Sequence, residues 1–191
     1  MKKKIKKMIT KIYFFKKKIL YSFFSNNNRV NGSYLSYQPV VLRGKGQILF
    51  GENVAFGVIN SPKYYDSYAY IEARTDSSVI EFGNEVKINN AFSVISEKKV
   101  LIGDKTIIGH NCSIMDSNFH NLHPDKRRET DEFPQEVIIG NNVFIGNNVT
   151  ILKGVSIGEN SVIGSNSVVT KSFPENVIVA GNPATIIRSL D

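Results

Sequence analysis

From Ile139 to Val168 apolar and polar positions recur with a period of six: IGNNVF, IGNNVT, ILKGVS, IGENSV, IGSNSV. Ile opens all five hexads and Gly follows it in four. A small or β-branched residue (Val143, Val149, Val155, Ser161, Ser167) takes the fifth place. A fixed short period of this kind predicts a solenoid, and a period of six predicts a parallel β-helix. Each hexad supplies one short strand and one corner, three hexads close a coil, and each Ile stacks on its counterparts above and below. The Gly and Asn beside it are expected to form the corner backbone, because both tolerate positive φ.

Less regular hexads begin near Val40, with rungs at Ile48, Phe50, Phe56, Ile80, Phe82, Ile88, Val94, Ile102, Ile108 and Ile114. At about 18 residues per coil the chain has room for roughly six or seven coils. SPKYYDSY (61–68) reads as a corner insertion. DSNFHNLHPDKRRETDEFPQE (116–136) carries no hexad pattern. A long irregular excursion from a regular scaffold is usually functional. Asn182-Pro183 predicts the start of a short C-terminal helix to about Leu190, closing the open end of the solenoid.

Residues 1–24 place Ile5, Met8, Ile9, Ile12, Ile19, Leu20 and Phe23 near helical spacing, with nine Lys and no acid between them. The formal charge of +7 therefore belongs to a tail, since the rest of the chain carries 15 basic against 17 acidic residues. The pattern predicts an amphipathic helix lying on a membrane surface; a helix packed on the solenoid end or a partly disordered arm remain open. The expected division is a basic segment and linker over 1–35 and a repeat domain over 36–191. Lys16, Lys17 and Lys18 interrupt the apolar run, which argues against a signal peptide. No stretch approaches the ~20 apolar residues of a membrane span. A single Cys, Cys112, excludes a disulfide framework and points to a reducing, cytoplasmic compartment, on the inner face of the membrane if the helix binds it.

The run IGNNVFIGNNVTILKGVSIGENSVIGSNSVVTKSFPENVIVAGNPATIIR resembles the C-terminal half of the left-handed β-helix acyltransferases. Within them it is most similar to the maltose, galactoside and capsular or O-antigen sugar O-acetyltransferases. The resemblance covers about 80–190 well, 40–80 loosely and 1–35 not at all. It implies an all-β solenoid wound left-handed, acetyl-CoA as co-substrate, a sugar hydroxyl as acceptor and a homotrimer; no metal or nucleic acid is expected, because of the spacing of the His residues and the patterning of the Lys tail. It also implies that a His on the interrupting loop is the general base, and His120 in DSNFHNLHP stands at that place. Histidine suits the task because its ordinary pKa lies near neutral pH. His123 is the competitor, and His110 sits at a corner. Asn89 matches an acceptor-holding amide, though Asn90 beside it shows that a turn role is equally open. Asp116 is a candidate to orient the imidazole or bind the sugar, or else an Asx turn; Lys126, Arg127 and Arg128 are candidates for an anionic acceptor or a solvated run. Asn147, Ser165, Thr170, Lys171 and Arg188 match positions that hold coenzyme A. Thr185 departs from the family, where a basic residue often follows the NPA motif.

Four other readings compete. One is N-acylation of an amino sugar nucleotide. Another is a γ-carbonic-anhydrase-like zinc site, which needs three converging His, and the spacing of His110, His120 and His123 does not match it. The third is a non-catalytic scaffold, against which the intact TKSFP and GNPA elements speak. The fourth is nucleic-acid binding by the Lys tail, which its apolar stripe disfavours.

Overall fold

Each short strand turns one or two apolar side chains inward and then meets a corner, so consecutive strands lie in different sheets. In the computed structural model, which describes residues 2–190, the chain visits three parallel sheets in strict rotation. The two termini of the expected segments, Met1 and Asp191, lie outside the described residues. The first coil is Val30–Asn31, Tyr34–Ser36 and Val40–Gly44, and the second is Gln47–Phe50, Val54–Phe56 and Ala69–Ala73. Val79–Phe82, Lys87–Ile88 and Ser93–Ser96 form the third; Lys99–Ile102, Ile107–Ile108 and Ser113–Met115 form the fourth. The fifth is Val137–Ile139, Phe144–Ile145 and Thr150–Ile151, and the sixth Ser156–Ile157, Val162–Ile163 and Val168–Val169. A partial seventh follows: Phe173 bridges to Ile157, and Val177–Gly181 pairs with Val162–Ile163.

The core is three columns of rungs in register. Phe50, Phe82, Ile102, Ile139 and Ile157 stack in the first sheet. Phe56, Ile88, Ile108, Ile145, Ile163 and Val179 stack in the second. Leu42, Ile71, Val94, Ile114, Ile151 and Val169 stack in the third. All of these are buried, each contributing about 1.5–3 kcal/mol of apolar burial. Phe50, Phe56 and Phe82 are core, as the hexads implied, with Phe50 and Phe82 stacked at 5.2 Å.

The corners divide their labour more sharply than the sequence indicated. Positive φ falls on the fourth hexad residue: Asn142 (53°), Asn148 (57°), Gly154 (77°), Asn160 (58°) and Asn166 (62°). These amides continue as ladders between coils, Asn111–Asn148–Asn166 and Asn142–Asn160–Asn176, at 2.9–3.1 Å. The Gly in second place is there for clearance. A Cβ on Gly146 would lie 2.7 Å from the amide nitrogen of Ser165, and one on Gly158 would lie 2.1 Å from that of Glu175.

The expected C-terminal helix is absent. Ala184–Ser189 is a strand, antiparallel to Val177–Gly181. Its Thr185-Ile186-Ile187 run is β-branched and favours a strand, and in that form it covers the last edge of the second sheet, which would otherwise be unpaired. The N-terminal helix α1 spans Lys2–Phe23. It packs on the solenoid through the insertion, which occupies 57–68 between strands and so begins four residues before the 61–68 read from the sequence, with Phe14 buried against Tyr64 at a centroid distance of 4.3 Å. The described residues contain no helix long and apolar enough to cross a membrane.

Candidate active site

Two of the solenoid's three edges carry the candidate residues. The edge between the second and third sheets forms a groove of about 690 Å³. Its floor is the outward row Lys87, Ile107 and Phe144, which the hexad spacing places on the surface of the second sheet. Ile107 and Phe144 are about half exposed, an apolar face where a solvated solenoid would carry polar residues. The groove's rim holds Asn89, Asn147 and Ser165, at corners of the third, fifth and sixth coils on this edge. Asn147 accepts the His110 amide through Oδ1 and donates its own amide to Ser165 Oγ, so these corners are held in step. Asn89 Oδ1 accepts the Asn90 amide. Asn90 is fully buried and ties down the insertion, donating to the carbonyls of Val58 and Pro62 and accepting the Val58 amide.

The excursion 116–136 leaves from the other edge, between the third and first sheets. Its two ends are joined by the Gln135 amide on the Asp116 carbonyl at 2.8 Å. The Asp116 side chain is fully buried and its carboxylate is filled by Ser96 Oγ and the amides of Glu97 and Lys98. It anchors the loop to the coil below and makes no contact with an imidazole. Asp131 closes the other side, accepting from Lys153 Nζ at 2.6 Å and from the amides of Asn118 and Phe133. Burial alone would raise the Asp131 pKa, but the Lys153 ammonium and these amides bring it down to about 2. Glu97 adds bonds to Ser117 and Thr130 and pairs with Arg74 at 3.8 Å.

Within this loop His120 is exposed, and its Nδ1 lies 2.9 Å from the carbonyl oxygen of Arg127. A carbonyl only accepts, so Nδ1 carries the proton and Nε2 keeps a lone pair. The residue before it, Phe119, has φ of 60°, a strained conformation for a bulky side chain. Its ring is held 4.4 Å from the Arg74 guanidinium, and its amide bonds Ser117 Oγ. His123 has different work: it caps the short helix Pro124–Lys126, its Nδ1 accepting the Asp125 amide. Lys126 pairs with Glu132, while the carbonyl of Arg127 is what orients His120. Arg74, Glu97, Asp131 and Lys153 were not singled out in the sequence. Arg74, Glu97 and Lys153 lie on separate coils and Asp131 within the excursion, so no local spacing marks them.

The residues matched to coenzyme A divide between the edges. Asn147 and Ser165 line the groove. Thr170 and Lys171 follow Val168–Val169 and so stand on the excursion's edge, two coils further along, with the Lys171 ammonium 5.8 Å from the Phe173 ring centre. Arg188 is exposed on the last strand. Cys112 is buried and its thiol lies 3.1 Å from the Gly146 carbonyl. Burial pushes the thiol up to about 11, so little thiolate exists at neutral pH. Among the described residues no three His, Cys, Asp or Glu side chains gather as a metal-binding group.

Residues 136–171 match the bacterial transferase hexapeptide (six repeats) family. The chain is 34% identical over 161 residues to a protein of Escherichia coli strain K12 named for lipopolysaccharide biosynthesis O-acetyl transfer, WbbJ, covering 78% of this chain and 76% of that one. It is 36% identical over 130 residues to the galactoside O-acetyltransferase of the same strain; that match covers 68% of this chain but only 60% of the relative's length. A solved galactoside acetyltransferase in complex with coenzyme A is similar at 25% identity with a TM-score of 0.53, covering 95% of this chain and 82% of that one. With its six stacked coils, interrupting His loop and these relatives, the chain belongs to the hexapeptide-repeat acetyltransferase family.

Proposed function

We propose that the protein transfers an acetyl group from acetyl-CoA to a sugar hydroxyl of a cell-surface polysaccharide or its precursor, with His120 as general base. The observation that carries this is the locked imidazole. With Nδ1–H engaged by the Arg127 carbonyl, Nε2 is the basic atom and sits on a loop anchored at both ends. His120 removes the hydroxyl proton as the oxygen bonds to the thioester carbon; the C–S bond breaks, and the coenzyme A thiol leaves with a proton. A sugar hydroxyl is a poor nucleophile until that proton is lost, and a positioned base contributes typically ~10²–10⁴-fold.

The split between two edges supports a homotrimer. In one chain no residue of 116–136 lines the groove that holds Asn89, Asn147 and Ser165. A threefold assembly brings the excursion edge of one subunit, with His120, Thr170 and Lys171, against the groove edge of its neighbour. The apolar floor of Ile107 and Phe144 suits the pantetheine arm, and Lys171 and Arg188 suit its phosphates. Asn89 offers its Nδ2 donors to the acceptor. Asp116 is reassigned to loop anchorage, and His123 to capping. The coil winds left-handed, the catalytic domain takes in the first-coil strands from Val30 that precede the expected boundary at residue 36, and the enzyme works in the cytoplasm.

Coenzyme A release from acetyl-CoA, followed with a panel of free sugars, amino sugar nucleotides and polysaccharides, tests the reading. Turnover with a hydroxyl acceptor that disappears in His120→Ala is the expected result. Turnover confined to amino acceptors would replace O- by N-acylation, and none with any acceptor would sink the enzymatic reading.

A further inference from the structure

We propose that α1 lies along an anionic lipid surface while its opposite face is held on the solenoid. The two faces of this helix are distinct. One is occupied. Phe14 is buried against Tyr64, the Tyr13 hydroxyl and Lys17 ammonium donate to the Tyr65 carbonyl, and Lys18 donates to the Ser36 carbonyl. Tyr21 lies 4.9 Å from Tyr68. The other face carries Ile5, Met8, Ile12, Ile19 and Phe23, all exposed, Phe23 at 84%. At 3.6 residues per turn these five fall within an arc of about 60°, roughly opposite Phe14. Lys4 and Lys11 stand at one margin of that arc and Lys2 at the other. Lys16 falls about 20° beyond its edge, on the same side as Lys2, where a long apolar stem lets the ammonium reach the headgroups.

Charge selects the occupant. No acidic residue precedes Glu52, while residues 1–51 carry twelve Lys and Arg. A second copy of this helix would set like charge against like, whereas phospholipid phosphates complement it. An apolar stripe with Lys margins is the pattern of an interfacial helix. The same contacts couple the helix to the groove. Tyr37, at the groove's first-coil end, is next to Ser36; Val58 and Ile59, which also line it, belong to the insertion that carries Tyr64 and Tyr65. A lipid-seated α1 therefore fixes that end of the groove near the bilayer. On the transfer reading above, on which this last step alone rests, the placement fits a saccharide acceptor carried on a lipid.

The test is co-sedimentation of the full chain with vesicles of phosphatidylglycerol in phosphatidylcholine, which needs no acceptor. Binding is expected to be strong, to weaken with salt, and to fall sharply on phosphatidylcholine alone. Ile12→Glu with Ile19→Glu should weaken it about tenfold or more with the melting temperature and the mass of the assembly unchanged. If that pair does not fold, Phe23→Asp serves in its place. Undiminished vesicle binding by the variant would overturn the proposal. So would a change in assembly mass, which would make this face a subunit contact, or binding to nucleic acid but not to vesicles.

Discussion

Replacing Asp131 by Ala separates the order of the excursion from the order of the solenoid. The Asp131 carboxylate is 9% exposed and joins Lys153 of the fifth coil to the amides of Asn118 and Phe133. Its pKa falls from the ordinary 3.8 to about 2. At about 1.4 kcal/mol per unit this is on the order of 2–3 kcal/mol favouring the ionised, engaged form. Allowing for partial solvent screening leaves about 2 kcal/mol, a factor of about 30 in the equilibrium for opening the loop. The strands on either side are stacked by their own rungs, Ile114 on Ile151 and Ile139 on Ile157, so the loss is local. Hydrogen exchange at amides 117–133 should lose about 30-fold in protection, with a small shift in melting temperature. The kcat should fall with it while the KM for acetyl-CoA holds, because His120 rides on this loop. The sign with pH follows from a depressed carboxylate pKa. The contribution is complete above about pH 4 and is lost as pH falls toward 2. Wild-type loop protection, corrected for intrinsic exchange, should decay across that window, and the Asp131→Ala loop should not. Unaltered protection in the variant, or a loss shared equally by the coil strands, would refute the reasoning.

The remaining expectations concern chemistry and packing. His120→Ala should lower kcat by ~10²–10⁴-fold with little change in the KM for acetyl-CoA, measured by coenzyme A release. His123→Ala should cost far less, through its cap on Pro124–Lys126. Cys112→Ser should remain active, because the thiol is buried and raised to about 11; inactivity together with ping-pong kinetics would move the mechanism onto that sulfur. Gly158→Ala should destabilise the fold by about 1–3 kcal/mol in thermal or denaturant unfolding, since its Cβ would press on the backbone of Pro174 and Glu175.

The stack of rungs was legible because the same six-residue environment repeats, and a repeat exposes what one position cannot. His120 was singled out through the motif around it, and the structure adds the Arg127 carbonyl on its Nδ1. The helix expected after Pro183 failed for the opposite reason. A proline after an asparagine marks a change of direction, and the free edge of the second sheet, invisible in a local window, decides that a strand follows. Asp131 lies within the aperiodic excursion and Lys153 22 residues on, past the strands of the fifth coil, so no period points from one to the other. The assignment of Gly to positive φ erred because the requirement on Gly146 or Gly158 comes from the next coil's backbone, while the chain's own reversal falls to Asn. The two faces of α1 were only half visible. The apolar stripe was read correctly, but Phe14, which docks the helix, belongs to a different face from the residues that define the stripe.

Both departures from the period, 57–68 and 116–136, leave from a corner and return to the next rung in register. Neither Ala69 nor Val137 records how much chain came before it. The cost of closing such a detour grows only with the logarithm of its length, about 0.6 kcal/mol per doubling. Each corner therefore behaves as a splice site: a lineage can lengthen, shorten or rewrite what lies between two rungs without retuning the columns inside. Changing what the groove or the loop meets then becomes an edit to one parenthesis in the chain, made while the grammar of sixes around it stays untouched.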